Sequence, residues 1–245
     1  MTQIHEGSAG ATIPDAGRRS PRDTRRYYRM ALAGIAPLPL AAMGVNYLVL
    51  GVPAGAEFTE TAAAIAADPS VAPSWLDAMG AVFFALLIPA VLAVAAVTWR
   101  RVPRLTAAAV TLTVPGFALG FGMLPNDTRL AQLTHELGLD VSAIAALDKA
   151  WAEQPLVMLA GLWFIVGIVI GLGMLGVALW RSRQAPAWTG IALALGGATH
   201  PFLPGNTAQG IGLIIGAIGF GGASYALLRM RDDEFALPPE PITVA

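Results

Sequence analysis

His200 is the most isolated residue of the long apolar segments of this chain whose side chain could bind a ligand or exchange a proton. A histidine at membrane depth is costly unless it faces protein or water, so it marks a functional site by default. It could respond to protonation, accept a hydrogen bond from a ligand or act as a base. Pro201 beside it removes a backbone donor and favours a bend. We therefore predict a ligand-binding role for His200; the alternative is an inert interfacial histidine bonded to a carbonyl group.

Four further polar residues, Asp77, Asn126, Asp127 and Asn206, complete the predicted ligand-binding set. Their carboxylate and amide oxygens could surround a cation or a small polar ligand. Three of them occur in two similar stretches, Leu124-Pro125-Asn126-Asp127-Thr128 and Leu203-Pro204-Gly205-Asn206-Thr207. An internal repeat would bring these stretches to the same end of the molecule. The alternatives are chance similarity and ordinary turn or capping chemistry.

The composition excludes several classes of site. The chain has no cysteine, which rules out disulfides, iron–sulfur clusters and Cys-ligated zinc. No HExxH or paired-histidine spacing occurs around His135, so we expect no metal site and no cofactor. Serine-hydrolase and Walker motifs are missing from the sequence as well. A membrane enzyme of the lipid or prenyl cyclase or isomerase type stays open, because it can use one acid–base residue such as Asp77, Asp127 or His200.

Apolar helices are the elements that must position these residues. Apolar residues make up 56% of the 245 residues and charged residues only 13%, and the mean hydropathy is +0.62. Six segments approach the roughly 20 residues that a helix needs to cross about 30 Å of hydrocarbon. We predict an all-α polytopic membrane protein with six transmembrane helices, at about 30–51, 76–99, 105–124, 155–180, 187–203 and 207–230. Prolines or glycines should break the first, third and fifth segments, whereas the interior of the fourth should be uninterrupted.

Basic residues are concentrated at alternate ends of these segments. Thirteen of the fifteen fall at the N-terminal side of the first segment and at every second junction after it, and positively charged short loops stay in the cytoplasm. Both termini should therefore be cytoplasmic, in the inner (plasma) membrane of a bacterial cell. The chain divides into a disordered cytoplasmic tail (1–24), a six-helix transmembrane domain (25–231) and a cytoplasmic C-terminal tail (232–245).

Two loops, about 52–75 and 125–154, are expected on the outer face. Together with Asp77 they hold nine acidic and only two basic residues, so this face should be strongly negative. Leu130, Leu133 and Leu137 recur at helical spacing in the longer loop, and Gly138 interrupts the pattern. We predict one or two amphipathic helices there, which lie on the bundle or on the lipid surface.

Contacts between the helices can also be predicted. Asn46 and Tyr47 are polar residues at depth, which usually form hydrogen bonds between helices. Two pairs of small residues four positions apart, Gly167 with Gly171 and Gly212 with Gly216, allow close helix packing within the bundle or across a dimer.

These features support three hypotheses. The first is binding or translocation of a small or lipophilic molecule that enters from the outer side of the bundle. The second is the membrane-embedded enzyme named above. The third is an accessory subunit whose outer loop docks a partner, for which an exposed apolar stripe along the three leucines would be the sign. The expected partners are the lipid bilayer, such a ligand, and a second copy of the chain or another membrane protein; nothing indicates nucleic acid.

Overall fold

A computed structural model describes residues 23–53, 55–123 and 126–235 of the chain, without the side chains of His200 and Pro201. Helices joined by short turns account for most of these ranges, and no strand occurs in them. The helices are α1 (Arg25–Ile35), α2 (Leu38–Val49), α3 (Phe58–Ala67), α4 (Leu76–Thr98), α5 (Pro103–Met123), α6 (Asp127–Glu136), α7 (Val141–Ala152), α8 (Pro155–Val166), α9 (Leu172–Ser182), α10 (Ala187–Phe202), α11 (Asn206–Arg229) and α12 (Asp232–Phe235).

Five helical segments in the described ranges are long and apolar enough to cross a membrane: Arg25–Val49, Pro69–Thr98, Pro103–Glu136, Pro155–Ser182 and Asn206–Arg229. In the third of these, α5 is the apolar part, and α6 is a separate polar helix after it. Large apolar side chains such as Leu92, Leu162 and Ile218 are exposed on the helix faces. Such apolar surface is unsuited to water and suited to lipid, so the chain is a helical membrane protein.

α10 is shorter than the other candidate spans. Its 16 residues extend about 24 Å at 1.5 Å per residue, which is less than the usual thickness of the hydrocarbon layer. It lies antiparallel to α11, because Thr199 lies beside Gly212 near one end of the pair and Thr189 lies beside Gly222 near the other. α10 therefore runs along most of the length of α11.

The proline predictions hold only for the first segment. There α1 ends at Ile35 and α2 begins at Leu38, with Pro37 between them. The predicted breaks in the third and fifth segments are wrong, since α5 continues through Pro115 and α10 continues to Phe202. A proline removes one helical hydrogen bond and can bend a membrane helix without ending it, because neighbouring helices stabilise the bend.

The fourth segment contains an interruption that its sequence pattern does not indicate. Residues Gly167–Gly171 form one turn of π-helix between α8 and α9. The prediction of an uninterrupted interior is therefore wrong, although the chain stays helical throughout Pro155–Ser182. Both glycines of the turn face α5, where an added Cβ would meet Thr113. The small side chains thus permit close approach at the place where the helix widens into a π turn.

Small residues also explain the packing of α11. Gly212, Gly216 and Gly219 are buried, and an added Cβ at each would collide with Thr199, Gly196 or Leu193 of α10, or with Leu40 of α2. The predicted close contact at Gly212 and Gly216 is confirmed as packing within one chain. The bundle also has a core of fully buried apolar side chains, among them Leu40, Leu87, Val91, Phe117, Leu172, Leu175 and Phe220.

One end of the bundle, which we name the arginine end, is held together by Arg29. Only 8% of Arg29 is exposed. Its Nε donates to Asp232 Oδ1 at 2.9 Å, and its Nη1 donates to the carbonyl of Leu227 at 2.5 Å. Arg100 Nη2 donates to the carbonyl of Asp233 at 3.3 Å. These contacts tie α1 and the turn that follows α4 to the C-terminal end of α11 and to α12.

At the opposite end, which we name the acidic end, α3 and α6 form a small cap with its own apolar cluster. Val52, Phe58, Ile65 and Ala131 are buried in it. The prediction of one or two helices in the 125–154 loop is confirmed, since the loop contains α6 and α7. Gly138 adopts the positive φ of 63° between them.

The face of α6 that is buried differs from the leucine stripe. Its buried residues are Ala131, Gln132 and Thr134, whereas Leu137 is 67% exposed. Small side chains let α6 approach α3 closely, so bulk alone did not determine which face is buried.

Candidate ligand-binding site

A cavity of about 240 Å³ opens at the acidic end, between α2, α4, α6 and the segment that follows α2. Its wall is part polar and part apolar, as is usual for sites that bind small molecules. It is lined by Met43, Asn46, Tyr47, Leu50, Val52, Pro53, Gly55, Ala56, Thr61, Ala72, Leu76, Asp77, Gly80, Phe84, Asn126, Asp127, Thr128 and Gln132. An engineered apolar cavity of about 150 Å³ holds benzene, so this volume suits a ligand on the order of six to ten non-hydrogen atoms.

Asp77, in the first turn of α4, already has a charged partner. Its Oδ2 lies 3.4 Å from Nη1 of Arg129 on α6, and both side chains are about 40% exposed. Exposed ion pairs of this kind contribute about 0–1 kcal/mol to stability. The pair connects α4 to α6 across the cavity wall and offsets the negative charge of Asp77.

Asp127, the first residue of α6, has a different environment. Its Oδ1 is buried and accepts no hydrogen bond from the part of the chain that the structure describes. Burial raises the pKa of this carboxyl group above its ordinary value, and the nearby carboxylate of Asp148 raises the pKa further. Burial of a carboxylate oxygen without a donor destabilises the charged form of the group. Asp127 is therefore the most unsatisfied acidic group of the cavity wall.

Hydrogen bonds to backbone carbonyls fix the amide side chains of the wall. Asn46 Nδ2 on α2 donates to the carbonyl of Leu76 at 3.1 Å, which confirms the predicted contact between helices for this residue. Gln132 Nε2 donates to the carbonyl of Ala72, and Gln132 Oε1 accepts from Arg129 Nη1 at 3.4 Å. Because the amide nitrogens are used in this way, the amides are held in defined orientations.

The structure brings three of the five predicted residues into this one wall. Asp77, Asn126 and Asp127 all line the cavity. Asn126 is also the N-cap of α6, where its Oδ1 accepts from the backbone N–H of Arg129 at 3.1 Å. The capping alternative is thus correct for Asn126, and it holds in addition to the position in the cavity.

Asn206 holds two residues of the cavity wall in place through hydrogen bonds. Its Nδ2 donates to the carbonyls of Leu50 and Val52, each at 2.7 Å, and those two residues belong to the cavity wall. Asn206 thereby ties the start of α11 to the segment after α2. The side chain of His200 lies outside the described residues, so its ligand-binding role stays a prediction.

Sequence reasoning missed several residues of the wall. Gln132 could have been found from the sequence. It is a polar residue beside the small Ala131, on a helix whose leucines cannot all be buried. Thr61 and Phe84 could not have been found in this way, because their proximity depends on how α3 and α4 meet α6. Among the described residues, no group of three His, Cys, Asp or Glu side chains could hold a metal ion.

A second, apolar cleft of about 620 Å³ lies towards the arginine end. Pro37, Trp188 and Tyr225 contribute to its wall, and the guanidinium of Arg229 lies 4.3 Å from the centre of the Tyr225 ring. No acidic residue or histidine lines this cleft, so within the described residues the acid–base candidates are concentrated at the acidic end.

No family model, curated protein or solved structure matches the chain. The class of protein is therefore given by the fold, a helical bundle with several segments suited to a membrane.

Proposed function

We propose that this protein binds a small molecule in the cavity at the acidic end and that this end faces the outer side of a bacterial plasma membrane. The observation that carries the proposal is the cavity itself, in which polar groups from α2, α4 and α6 converge on a space of metabolite size. Binding from the outer side is the function that this geometry supports best.

The proposed topology has six crossings with both termini in the cytoplasm. The concentration of arginines at one end favours a cytoplasmic position for that end. α10 is counted as the sixth crossing because it runs antiparallel along α11, although it is short. A helix of this length can cross where the bilayer thins locally or where neighbouring helices surround it.

Translocation would require a change of structure. The apolar core between the two ends includes Leu87, Val91 and Leu172, all fully buried, and Arg29 fastens the arginine end. A molecule bound in the cavity therefore has a packed core on its cytoplasmic side. Passage through the bundle would need α1 and α2 to move relative to α11, and the Pro37 interruption is the natural hinge for that movement.

A second candidate function is catalysis by a membrane-embedded enzyme. It is favoured by one observation, the raised pKa of the Asp127 carboxyl group in a cavity, because perturbed acid groups in cavities are typical of acid–base catalysts. In that case Asp127 would hold or deliver the proton, and Asp77 would be less suited because it is already paired with Arg129.

Native mass spectrometry on protein extracted gently from its own membrane tests the binding proposal. We expect a reproducible bound small molecule that is lost when Gly80→Leu fills the cavity, since an added Cβ at Gly80 meets only Phe84, at 4.0 Å. Gly122→Leu is the matched control, because an added Cβ at Gly122 meets no described atom within 4 Å and this residue does not line the cavity. Protein without any bound molecule, or equal retention in both variants, would contradict the proposal.

A further inference from the structure

We infer that the ligand of the cavity at the acidic end is a small organic cation, an alkylammonium or quaternary ammonium compound, and that Asp127 is its counter-charge. This inference rests on the proposed binding function and specifies the class of ligand. It follows from the charge balance, the aromatic residues and the size of the cavity.

The charge balance leaves negative charge in excess. Asp77, Asp127 and Asp148 lie in or near the cavity wall, and Arg129 is the one cation that contacts this set within the described residues. Arg129 is engaged with Asp77 and with Gln132 Oε1. The positive charge that would complement Asp127 is therefore not supplied by the described part of the chain, and a bound cation would supply it.

Burial increases the energetic effect of a positively charged partner for Asp127. Asp127 Oδ1 is buried without a hydrogen-bond donor from the described residues, and an ionised carboxylate in that position is costly until a cation or donor reaches it. The positive charge of an ammonium group in the cavity would stabilise the ionised carboxylate of Asp127 and reduce the repulsion between Asp127 and Asp148. A neutral ligand of the same shape would supply no such charge.

Aromatic rings complete a site suited to an organic ammonium. Tyr47 on α2 and Phe84 on α4 both contribute to the wall of the same cavity. Aromatic faces attract ammonium groups through their quadrupoles, and this attraction is strongest where water is excluded. The apolar remainder of the wall, which includes Met43 and Leu50, suits the alkyl part of the ligand.

A divalent metal ion fits this cavity less well. No three potential metal-binding side chains of the described residues come together, and a Ca²⁺ site needs six to eight oxygen ligands at about 2.3–2.6 Å. A volume of about 240 Å³ is also far larger than one bare ion. The strongly acidic end would nevertheless raise the local concentration of any cation, organic cations included.

The test compares charged and neutral ligands of the same shape on the purified full chain. Choline and its neutral isostere 3,3-dimethyl-1-butanol form one pair, and n-butylammonium and n-butanol form another. Binding is measured by isothermal titration calorimetry at pH 7 in low salt. We expect at least one cation to bind at least ten-fold more tightly than its neutral partner. We expect Asp127→Asn to lower the affinity for that cation ten-fold or more.

Asp233→Asn is the matched control, since Asp233 is an exposed carboxylate at the arginine end and should leave the affinity unchanged. Folding is checked by thermal unfolding. Because burial raises the pKa of Asp127 in the folded protein, ionisation of this group opposes folding at pH 7, so Asp127→Asn should unfold at the same or a higher temperature than the parent protein. A lost affinity together with a lower unfolding temperature would assign Asp127 a structural role and overturn the inference.

Two other outcomes would also overturn it: equal affinity for charged and neutral partners, and no binding of either cation at millimolar concentration. Neither outcome affects the proposed function if the Gly80→Leu variant still loses the bound molecule that Gly122→Leu retains. The two failures are therefore distinguishable. If both Gly80→Leu and Asp127→Asn leave the bound molecule in place, the cavity is not the binding site and both proposals fail.

Discussion

Arg129 Nη1 lies 3.4 Å from Asp77 Oδ2, whereas Asp127, two residues before Arg129 on the same helix, has a buried Oδ1 that accepts no hydrogen bond from the described residues. The first turn of α6 thus neutralises one carboxylate of the cavity and leaves the other uncompensated. Two acidic residues that the sequence presents as equivalent therefore differ in environment. Asp77 joins α4 to α6, and Asp127 is the residue that we propose as the counter-charge of a ligand.

Removal of the Arg129 guanidinium should strengthen the binding of a cation. In Arg129→Gln the charge of Asp77 is no longer offset, so Asp77 is free to attract a bound cation. If that attraction equals the energy of an exposed ion pair, about 0–1 kcal/mol, the affinity for choline rises by up to about five-fold. The control is Lys149→Gln, which removes an exposed basic residue of α7 and should change the affinity less. Calorimetric titration in low salt measures both effects, and weaker choline binding in Arg129→Gln would count against the assigned charge balance.

The affinity for a cation should decrease on acidification at a higher pH than an ordinary aspartate would give. The pKa of Asp127 is raised from its usual 3.8 by burial first and by Asp148 second, so Asp127 takes up its proton, and loses its attraction for a cation, while an ordinary carboxylate is still charged.

The pKa of Asp148 is raised as well, by burial, so both groups shift the profile in the same direction. Asp77 is held beside Arg129. Glu57, just before α3, and Glu60 in α3 are exposed. Choline titrations from pH 4 to pH 8 measure the profile in the parent protein and in Asp127→Asn. An identical profile in the two proteins would show that Asp127 is not the responsible group.

The sequence predicts the helices well because apolar length is a local property. The six predicted segments differ from the helices by at most five residues at each end, including 105–124 against α5 and 207–230 against α11. The acidic end was harder, since the positions of Gln132 and Thr61 depend on how α3 and α6 pack. The helical spacing of Leu130, Leu133 and Leu137 predicts that these leucines form the buried face of α6. The close approach of α6 to α3 instead buries the small Ala131. Asp77 and Asp127 were both predicted as site residues, yet only the structure separates the paired from the unpaired carboxylate.

The seam between α10 and α11 should tolerate no added methyl group at Gly219. A Cβ there would overlap the backbone of Leu193, which cannot turn aside as a flexible side chain can, so Gly219→Ala should lower the free energy of unfolding by about 1–3 kcal/mol. At Gly221 an added Cβ meets nothing within 4 Å, and Gly221→Ala should be neutral or stabilising by up to about 1 kcal/mol. Thermal unfolding of both variants in one detergent measures the difference, and equal unfolding temperatures would contradict this close packing of α10 against α11.

The proposed orientation can be tested with single cysteines, because the chain contains none of its own. Ala67→Cys, at the end of α3, and Ala146→Cys, on α7, place exposed thiols at the acidic end, and Asp233→Cys places an exposed thiol at the arginine end. In intact cells a membrane-impermeant maleimide should label the first two and spare the third, since the arginine-rich end is expected inside. Permeabilised cells provide the control, in which all three should be labelled to the same extent. Labelling of Asp233→Cys in intact cells, with protection of the other two, would reverse the orientation. The cavity of Asp127 would then open to the cytoplasm, and the source of its ligand would have to be sought there.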